Sequence, residues 1–274
     1  MRRGNDLRAY LRQERMPDMW CPGCGHGNTM TALTTAFDRL QTDLDQLVMV
    51  GGIGCASRMP FYLDTNAMHT THGRALAFAT GIKLSRPELT VLAVMGDGDA
   101  LAIGGNHLIH ACRRNIDLTA LVLNNQIYGM TGGQGAPTTP VGFRTTTSSN
   151  GSIEPAFDTV ELALAAGASF VARTTTFDFD EVPQLIEAAL RHRGFALVEI
   201  LSQCPTYFGR LNRLGNGRAL LDYEKDLTAP AEHVTRDELV SNLPTGIFRD
   251  EDRAEYTRRY AQLCTRTADN GHAR

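Results

Sequence analysis

The chain has 274 residues, 42% of them hydrophobic and 21% charged, and a formal net charge of −3. That balance fits a globular protein and leaves no basic excess for nucleic acid. No apolar run reaches the roughly 20 residues of a membrane helix, and the charged segment 1–20 lacks the apolar centre of a signal peptide, so the expectation is a cytoplasmic protein with neither a nucleic-acid nor a membrane partner.

In chain order, 46–52 (QLVMVGG) is a short apolar run ending in glycine, and 72–85 has helical character. Residues 89–96 (LTVLAVMG) read as a buried strand, 99–115 as a helix weakened by Gly104 and Gly105, and 117–125 (DLTALVLNN) as the next strand. A polar loop over 126–155, rich in Gly, Thr and Pro, follows. Loops of that length inside a compact domain are mostly functional or interface-forming. Segments 158–167, 168–173, 179–193 and 195–201 complete another round of helices and strands. Apolar strands without clean alternation, spaced by helices, predict a doubly wound, mostly parallel α/β sheet covered on both faces. The rhythm is lost after Cys204. The expectation is an α/β domain over 1–203 and an irregular arm over 204–274, with a charged, solvent-facing helix near 249–268.

Ligands of doubly wound sheets bind at the carboxyl ends of the strands. There this sequence places VMGDGDALAIGG (94–105). A dinucleotide fingerprint needs a third glycine where Leu101 stands, so it fails. A carboxylate beside a diphosphate is repulsive unless a cation separates them. Mg²⁺ suits that role, since it is held by one or two protein oxygens plus phosphate. The next strand ends in Asn124 and Asn125, one helix and one strand after Asp97. Singly, Asp97 or Asp99 reads equally as a helix cap and Asn125 as a turn amide. On consecutive strand ends they favour a metal–diphosphate site.

GDG followed by NN resembles the thiamine diphosphate binding motif. The resemblance implies that Asp97, the Asn125 side chain and the Ile127 carbonyl ligate Mg²⁺, and that Gly98, Asp99, Gly129 and Met130 line the diphosphate.

Six cysteines are present. Cys112 and Cys264, in helix-like contexts, read as inert thiols. Cys21 and Cys24 lie in WCPGCGHG, Cys55 in GGIGCASR and Cys204 in LSQCPTYFGR. Three readings stand for these four: unrelated thiols, structural zinc, or a [4Fe–4S] cluster. Structural zinc prefers close pairs, whereas here one pair is close and two thiols are distant in sequence.

Over about residues 18–215 the motifs WCPGCGHG, GGIGCASR, HTTHGRALAFATGIK, GDGDALAIGGNH, LNNQIYGMTGGQ and CPTYFGR, in that order, resemble the β subunits of 2-oxoacid:ferredoxin oxidoreductases, most closely the 2-oxoglutarate (KorB-type) branch. The resemblance implies that Ile53, Gly54, Cys55 and Ala56 contact the cofactor and that His72, a catalytic candidate, lies near its diphosphate or thiazolium. It implies a [4Fe–4S] cluster on Cys21, Cys24, Cys55 and Cys204, completed by the C-terminal segment, which also contacts a partner. The activity implied is coenzyme A-dependent oxidative decarboxylation of a 2-oxoacid to acyl-CoA and CO2, with electrons leaving to ferredoxin. The first candidate substrate is 2-oxoglutarate, with pyruvate or branched-chain oxoacids as alternatives. Thiamine chemistry needs a glutamate on the aminopyrimidine ring, and in the family the α subunit supplies it, so the chain is expected to be inactive alone and to work as (αβ)2. Some relatives carry a substrate-reaching lysine where this chain has Gly132, which leaves Arg74 or the α subunit to meet a distal carboxylate. Two other readings remain: a non-oxidative thiamine-dependent decarboxylase or synthase, and an electron-transfer module with a degenerate cofactor site.

Overall fold

The computed structural model describes residues 6–231 and 242–271. Residues 1–5 of the charged N-terminus and 232–241 and 272–274 of the C-terminal arm lie outside the described residues. In chain order the elements are α1 (Gly25–Leu40), β1 (Leu47–Gly51), the one-turn α2 (Met59–Tyr62), β2 (Asn66–His69), α3 (Ala75–Ser85), β3 (Thr90–Gly96), α4 (Gly105–Arg114) and β4 (Leu118–Asn124). A small hairpin follows, β5 (Ile127–Tyr128) with β6 (Gln134–Gly135). Then come α5 (Thr159–Ala165), β7 (Phe170–Thr175), α6 (Glu181–Arg191), β8 (Phe195–Leu201), α7 (Gly217–Leu227), β9 (Thr228–Pro230), β10 (Leu243–Asp250) and α8 (Tyr256–Gly271).

The main sheet has the order β2-β1-β3-β4-β8-β7-β10-β9. It is parallel except where β10 runs antiparallel to β7. The chain leaves β1 outward to β2 and returns to β3 on the other side. That reversal opens a crevice beyond the ends of β1 and β3, where such sheets take ligands.

Alternate strand residues feed two cores. Met49, Leu92, Val94, Leu121, Leu123, Val198 and Ile200 pack with Leu33 and Phe37 of α1 and Ile186 of α6. Val50, Ala93, Met95, Val122, Phe195 and Leu197 pack with Leu76 of α3, Leu108 of α4 and Val160 of α5. Helices on both faces therefore explain why the strands lack a polar face.

Three elements depart from the sequence reading. The expected helix 99–115 is split into a widened π turn over Gly98–Ile103 and α4. The break falls at the glycine pair. The expected helix 249–268 begins only at Tyr256, because Arg249 and Asp250 belong to β10 and pair with β7. The arm after Cys204 is more regular than expected. It adds β10 and β9 to the sheet, so the segment after 204 shares a sheet with the segment before it.

A buried ionic network braces the strand ends beneath the crevice. Arg173, 1% exposed, donates through Nε to Glu199 Oε2 and through Nη2 to Asp158 Oδ1, both at 2.6 Å. Glu199 Oε1 accepts from Asn124 Nδ2 at 2.8 Å, and Asn124 Oδ1 accepts the Gln126 N–H at 3.1 Å. Gln126 sits in the left-handed region, with φ +61°. The first amide of the Asn pair thus secures the turn that presents the second. A buried charge is tolerated when fully paired in this way.

Glu224 on α7 is buried and accepts from Thr176 Oγ1 at 2.8 Å. Burial raises its pKa from 4.5 to about 8. A proton held more tightly in the folded state stabilises fully below pH 4.5, and that contribution is lost as pH rises through about 8. Glu224→Gln should therefore match the native chain at the acid end of this window and exceed its thermal stability at the alkaline end. Melting curves at both ends measure this, and an identical difference at the two would refute it.

Candidate functional site

A cavity of about 620 Å³ fills the crevice, a volume ordinary for a small-molecule site. Its walls are the loops that leave β1 (53–56), β3 (96–99) and β4 (125–131), with part of the hairpin, His26 and His72. Every residue that the sequence put forward for the cofactor and its metal lines this one cavity: Ile53, Gly54, Cys55, Ala56, His72, Asp97, Gly98, Asp99, Asn125, Ile127, Gly129 and Met130. Arg74 is not among the lining residues, and its Nη1 donates to the Ile103 carbonyl at 3.1 Å.

The two aspartates of GDGD do different work. Asp97 is 2% exposed. Its carboxylate accepts the Thr138 hydroxyl and the N–H groups of Gly98 and Asn125, all uncharged donors, and burial raises its pKa to about 6. A buried carboxylate with neutral partners gains most from a cation placed beside it. Asn125 is half-buried, and its Oδ1 takes only a 3.3 Å bond from the Ile127 N–H. This bond is the turn-amide geometry, and it leaves a lone pair on an oxygen that accepts two.

Asp99 is spent on the protein. Its Oδ1 accepts the Gly73 N–H at 2.6 Å and the Ile53 N–H at 3.3 Å, while Oδ2 accepts from Ser57 Oγ at 3.4 Å. His72 Nδ1 lies 2.9 Å from the same Oδ1. Asp99 therefore holds the loops after β1 and β2 against the π turn. Close approach fixes the residue at 52, where a Cβ would lie 1.8 Å from Asp99 Oδ2.

Sequence reasoning missed several participants. Thr138, 3% exposed, sits in the long loop with no motif to mark it. Ser57 is one of many serines, and only its contact with Asp99 distinguishes it. Tyr128 donates its hydroxyl to the Gly98 carbonyl at 3.1 Å, closing the wall between the GDG turn and the hairpin. His26 is fully buried, with Nδ1 2.8 Å from Ser202 Oγ, and burial lowers its pKa to about 4, so the ring is neutral. It stands within WCPGCGHG, where the cysteines drew attention first.

The four thiols gather on one side of the cavity. Cys24 lies close enough to Cys204, Cys55 and Cys21 for each to disfavour its ionisation, and burial drives its pKa up to about 12. Burial likewise raises Cys55 to about 11, with Cys204 and Cys21 adding to it. A Cβ built on Gly129 would rest 3.6 Å from Cys204 Sγ and 3.8 Å from Cys55 Sγ, so these two face a common point. None is in a disulfide. Among the described residues, no three His, Cys, Asp or Glu side chains are drawn in tightly enough to hold one metal ion. Cys112 is buried in α4 and Cys264 is exposed on α8, both far from this group in the fold.

A family model for the thiamine pyrophosphate enzyme C-terminal TPP binding domain matches residues 52–200. The chain is 44% identical over 257 residues to the 2-oxoglutarate synthase subunit KorB of Methanocaldococcus jannaschii, covering 93% of this chain and 95% of that protein. It is 48% identical to the same subunit of Archaeoglobus fulgidus, covering 93% and 92%. The chain belongs to the KorB family of 2-oxoglutarate synthase subunits. This KorB-family chain also superposes on a 2-oxoglutarate:ferredoxin oxidoreductase from Magnetococcus marinus solved with 2-oxoglutarate, coenzyme A and succinyl-CoA bound. There the TM-score is 0.87 at 34% identity, over 97% of this chain and 92% of that one. It is thus the β subunit of an oxidoreductase, and the cavity falls in the segment matched as TPP-binding. Among the described residues no helix is long and apolar enough to cross a membrane.

Gly52→Ala should expel the Asp99 carboxylate from its donors and destabilise the fold by about 1–3 kcal/mol. Gly81→Ala, on an open face of α3 with nothing within 4 Å, should instead stabilise it by roughly 0.5–1 kcal/mol. Denaturant titration of the two variants checks both signs.

Proposed function

We propose that this chain is the catalytic β subunit of a coenzyme A-dependent 2-oxoglutarate:ferredoxin oxidoreductase and holds thiamine diphosphate, Mg²⁺ and a [4Fe–4S] cluster. The observation that carries the proposal is the cavity in which Asp97, Asn125 and Ile127 meet from adjoining strand ends, with four thiols beside it. The 2-oxoglutarate named for its relatives and its structural neighbour supports that substrate over pyruvate or branched-chain oxoacids.

The residues fit the groups. Asp97, the Asn125 side-chain oxygen and the Ile127 carbonyl would hold Mg²⁺, which answers the buried charge that Asp97 now carries against neutral donors alone. Gly98, Gly129 and Met130 would face the diphosphate, while Asp99 keeps the surrounding loops in place. Bound thiamine diphosphate supplies the electron sink that lets a 2-oxoacid lose CO2. Cys21, Cys24, Cys55 and Cys204 would hold the cluster, whose chemistry is one-electron transfer toward ferredoxin. Cys55 and Cys204 face a common point and Cys21 and Cys24 lie near enough to act on them, and four thiols drawn from scattered segments favour the cluster over a compact zinc knuckle. Ile53, Ala56 and the Tyr128 ring would supply the less polar part of the cavity wall. His72, whose Nδ1 lies 2.9 Å from Asp99 Oδ1, would lie near the diphosphate or thiazolium.

Among the described residues no glutamate lines the cavity. The aminopyrimidine glutamate would then come from a partner subunit, and the proposal includes an (αβ)2 assembly in the cytoplasm with ferredoxin as the acceptor.

Asp97→Ala in the complex with its partner subunit should abolish thiamine diphosphate retention and leave the iron content intact. Cys24→Ala should keep the cofactor and lose the visible iron–sulfur absorption and viologen reduction. Cofactor and iron analysis of the two folded proteins decides this. Loss of both centres in either variant would overturn the division of roles, and oxoacid oxidation by this subunit alone would overturn the need for a partner subunit.

A further inference from the structure

His26 joins every segment that carries a cluster thiol. It opens α1 immediately after Cys24-Gly25, and its own N–H donates to the Cys24 sulfur. Its ring bonds Ser202, two residues before Cys204, at 2.8 Å. Trp20, next to Cys21, packs edge-on against it with ring centroids 5.8 Å apart, and the Trp20 indole N–H donates to the Cys55 carbonyl at 2.8 Å. Gly25 makes this convergence possible, because a Cβ there would meet Ser202 Oγ at 2.6 Å and Gln203 Oε1 at 2.4 Å.

The ring is 0% exposed, it lines the cofactor cavity, and its Nε2 is buried without a partner. A buried imidazole nitrogen left unpaired is costly. The Ser202 hydroxyl is hydrogen-bonded to His26 Nδ1, and the direction of that bond sets the tautomer. If that hydroxyl donates to Nδ1, both its proton and the nitrogen lone pair are used, and the ring proton resides on Nε2. In that tautomer Nε2 carries the ring's N–H, buried and unpartnered, in a ring that lines the cavity and is bracketed by Trp20, the Cys24 backbone and Ser202.

We propose that His26 is a positioning residue of the cluster site, its Nε2–H donating a hydrogen bond to a sulfur of the cluster and raising the cluster's reduction potential. This rests on the cluster assignment above. Hydrogen bonds to cluster sulfurs disperse the charge gained on reduction and so favour the reduced state. Trp20 and Ser202 act through His26 by fixing its plane and its proton.

The test is an EPR-monitored redox titration of the anaerobically purified complex with its partner subunit, alongside iron and thiamine diphosphate content. His26→Leu removes the donor and is expected to retain iron. At a fixed potential its ratio of reduced to oxidised cluster should fall about tenfold, a shift of about 59 mV to the negative for one electron. His26→Gln, which keeps a donor, should recover most of that shift. Ser202→Ala, which keeps the ring but frees its proton, should titrate between His26→Leu and the native protein. A native potential in His26→Leu with full iron overturns the proposal. If His26→Leu loses its iron, a native potential in Ser202→Ala overturns it instead. Iron absent from the native complex itself would show that the cluster assignment, not the role of His26, has failed.

Discussion

The hydrogen bonds to Asp99 set the shape of the cavity. One carboxylate collects the Ile53 N–H from the loop after β1, the Gly73 N–H from the loop before α3 and the Ser57 hydroxyl from the turn before α2. It does so from inside the π turn that follows β3. Without this clamp, the β1–α2 and β2–α3 loops would each need to pay their own ordering entropy at the mouth of the cavity. With it, they form a single wall, and Asp97, two residues earlier, is left free of protein cations. The repeated acid of GDGD thus divides between building the site and the cation binding proposed for Asp97.

The middle of the sheet was legible because β1, β3 and β4 are apolar, short and ended by glycine or asparagine, and because helices separate the central strands. What escaped the reading has physical reasons. Helix α1 is rich in Thr and begins among glycines, so its propensity is poor. Thr29, Thr31 and Thr35 bond back to carbonyls four residues earlier, and burial of Met30, Leu33 and Phe37, at helical spacing, carries the helix. Strand β2 is mostly exposed and shows no apolar run. Strand β10 contains Pro244 and Gly246, which read as a loop. It survives because it lies toward the sheet's edge, where its antiparallel pairing with β7 is interrupted by a register shift.

The site was legible to the extent that its residues form contiguous motifs. Asp97 and Asn125 were found because each ends a strand. The difference between Asp97 and Asp99 was not, since it depends on which N–H groups surround each carboxylate. Thr138 could not be found at all: forty-one residues separate it from Asp97, and only the return of the long loop across the hairpin brings them together. That loop is ordered by its own backbone, with Gly142 and Ser152 bonded at 2.7 Å and Thr146 to Gly133 at 2.8 Å. Its length therefore reflects a wall of the cavity.

Cys55 belongs to both halves of the site. It lines the cavity and faces the same point as Cys204. The residues before it touch Asp99, and its own carbonyl is fixed by Trp20. Four consecutive residues, Ile53 to Ala56, thus carry a cofactor wall and a thiol on one short stretch of backbone pinned at both ends. A centre that gives up electrons and one that receives them work best at a constant, short separation, because a change in that separation acts on every transfer. If the proposed cluster sits on Cys55, anchoring both centres to one loop would achieve this without a separate element to hold them in register. Cys55 and Cys204 each come from a segment that leaves a strand of the sheet, and the fold brings them to the Cys21–Cys24 turn ahead of α1.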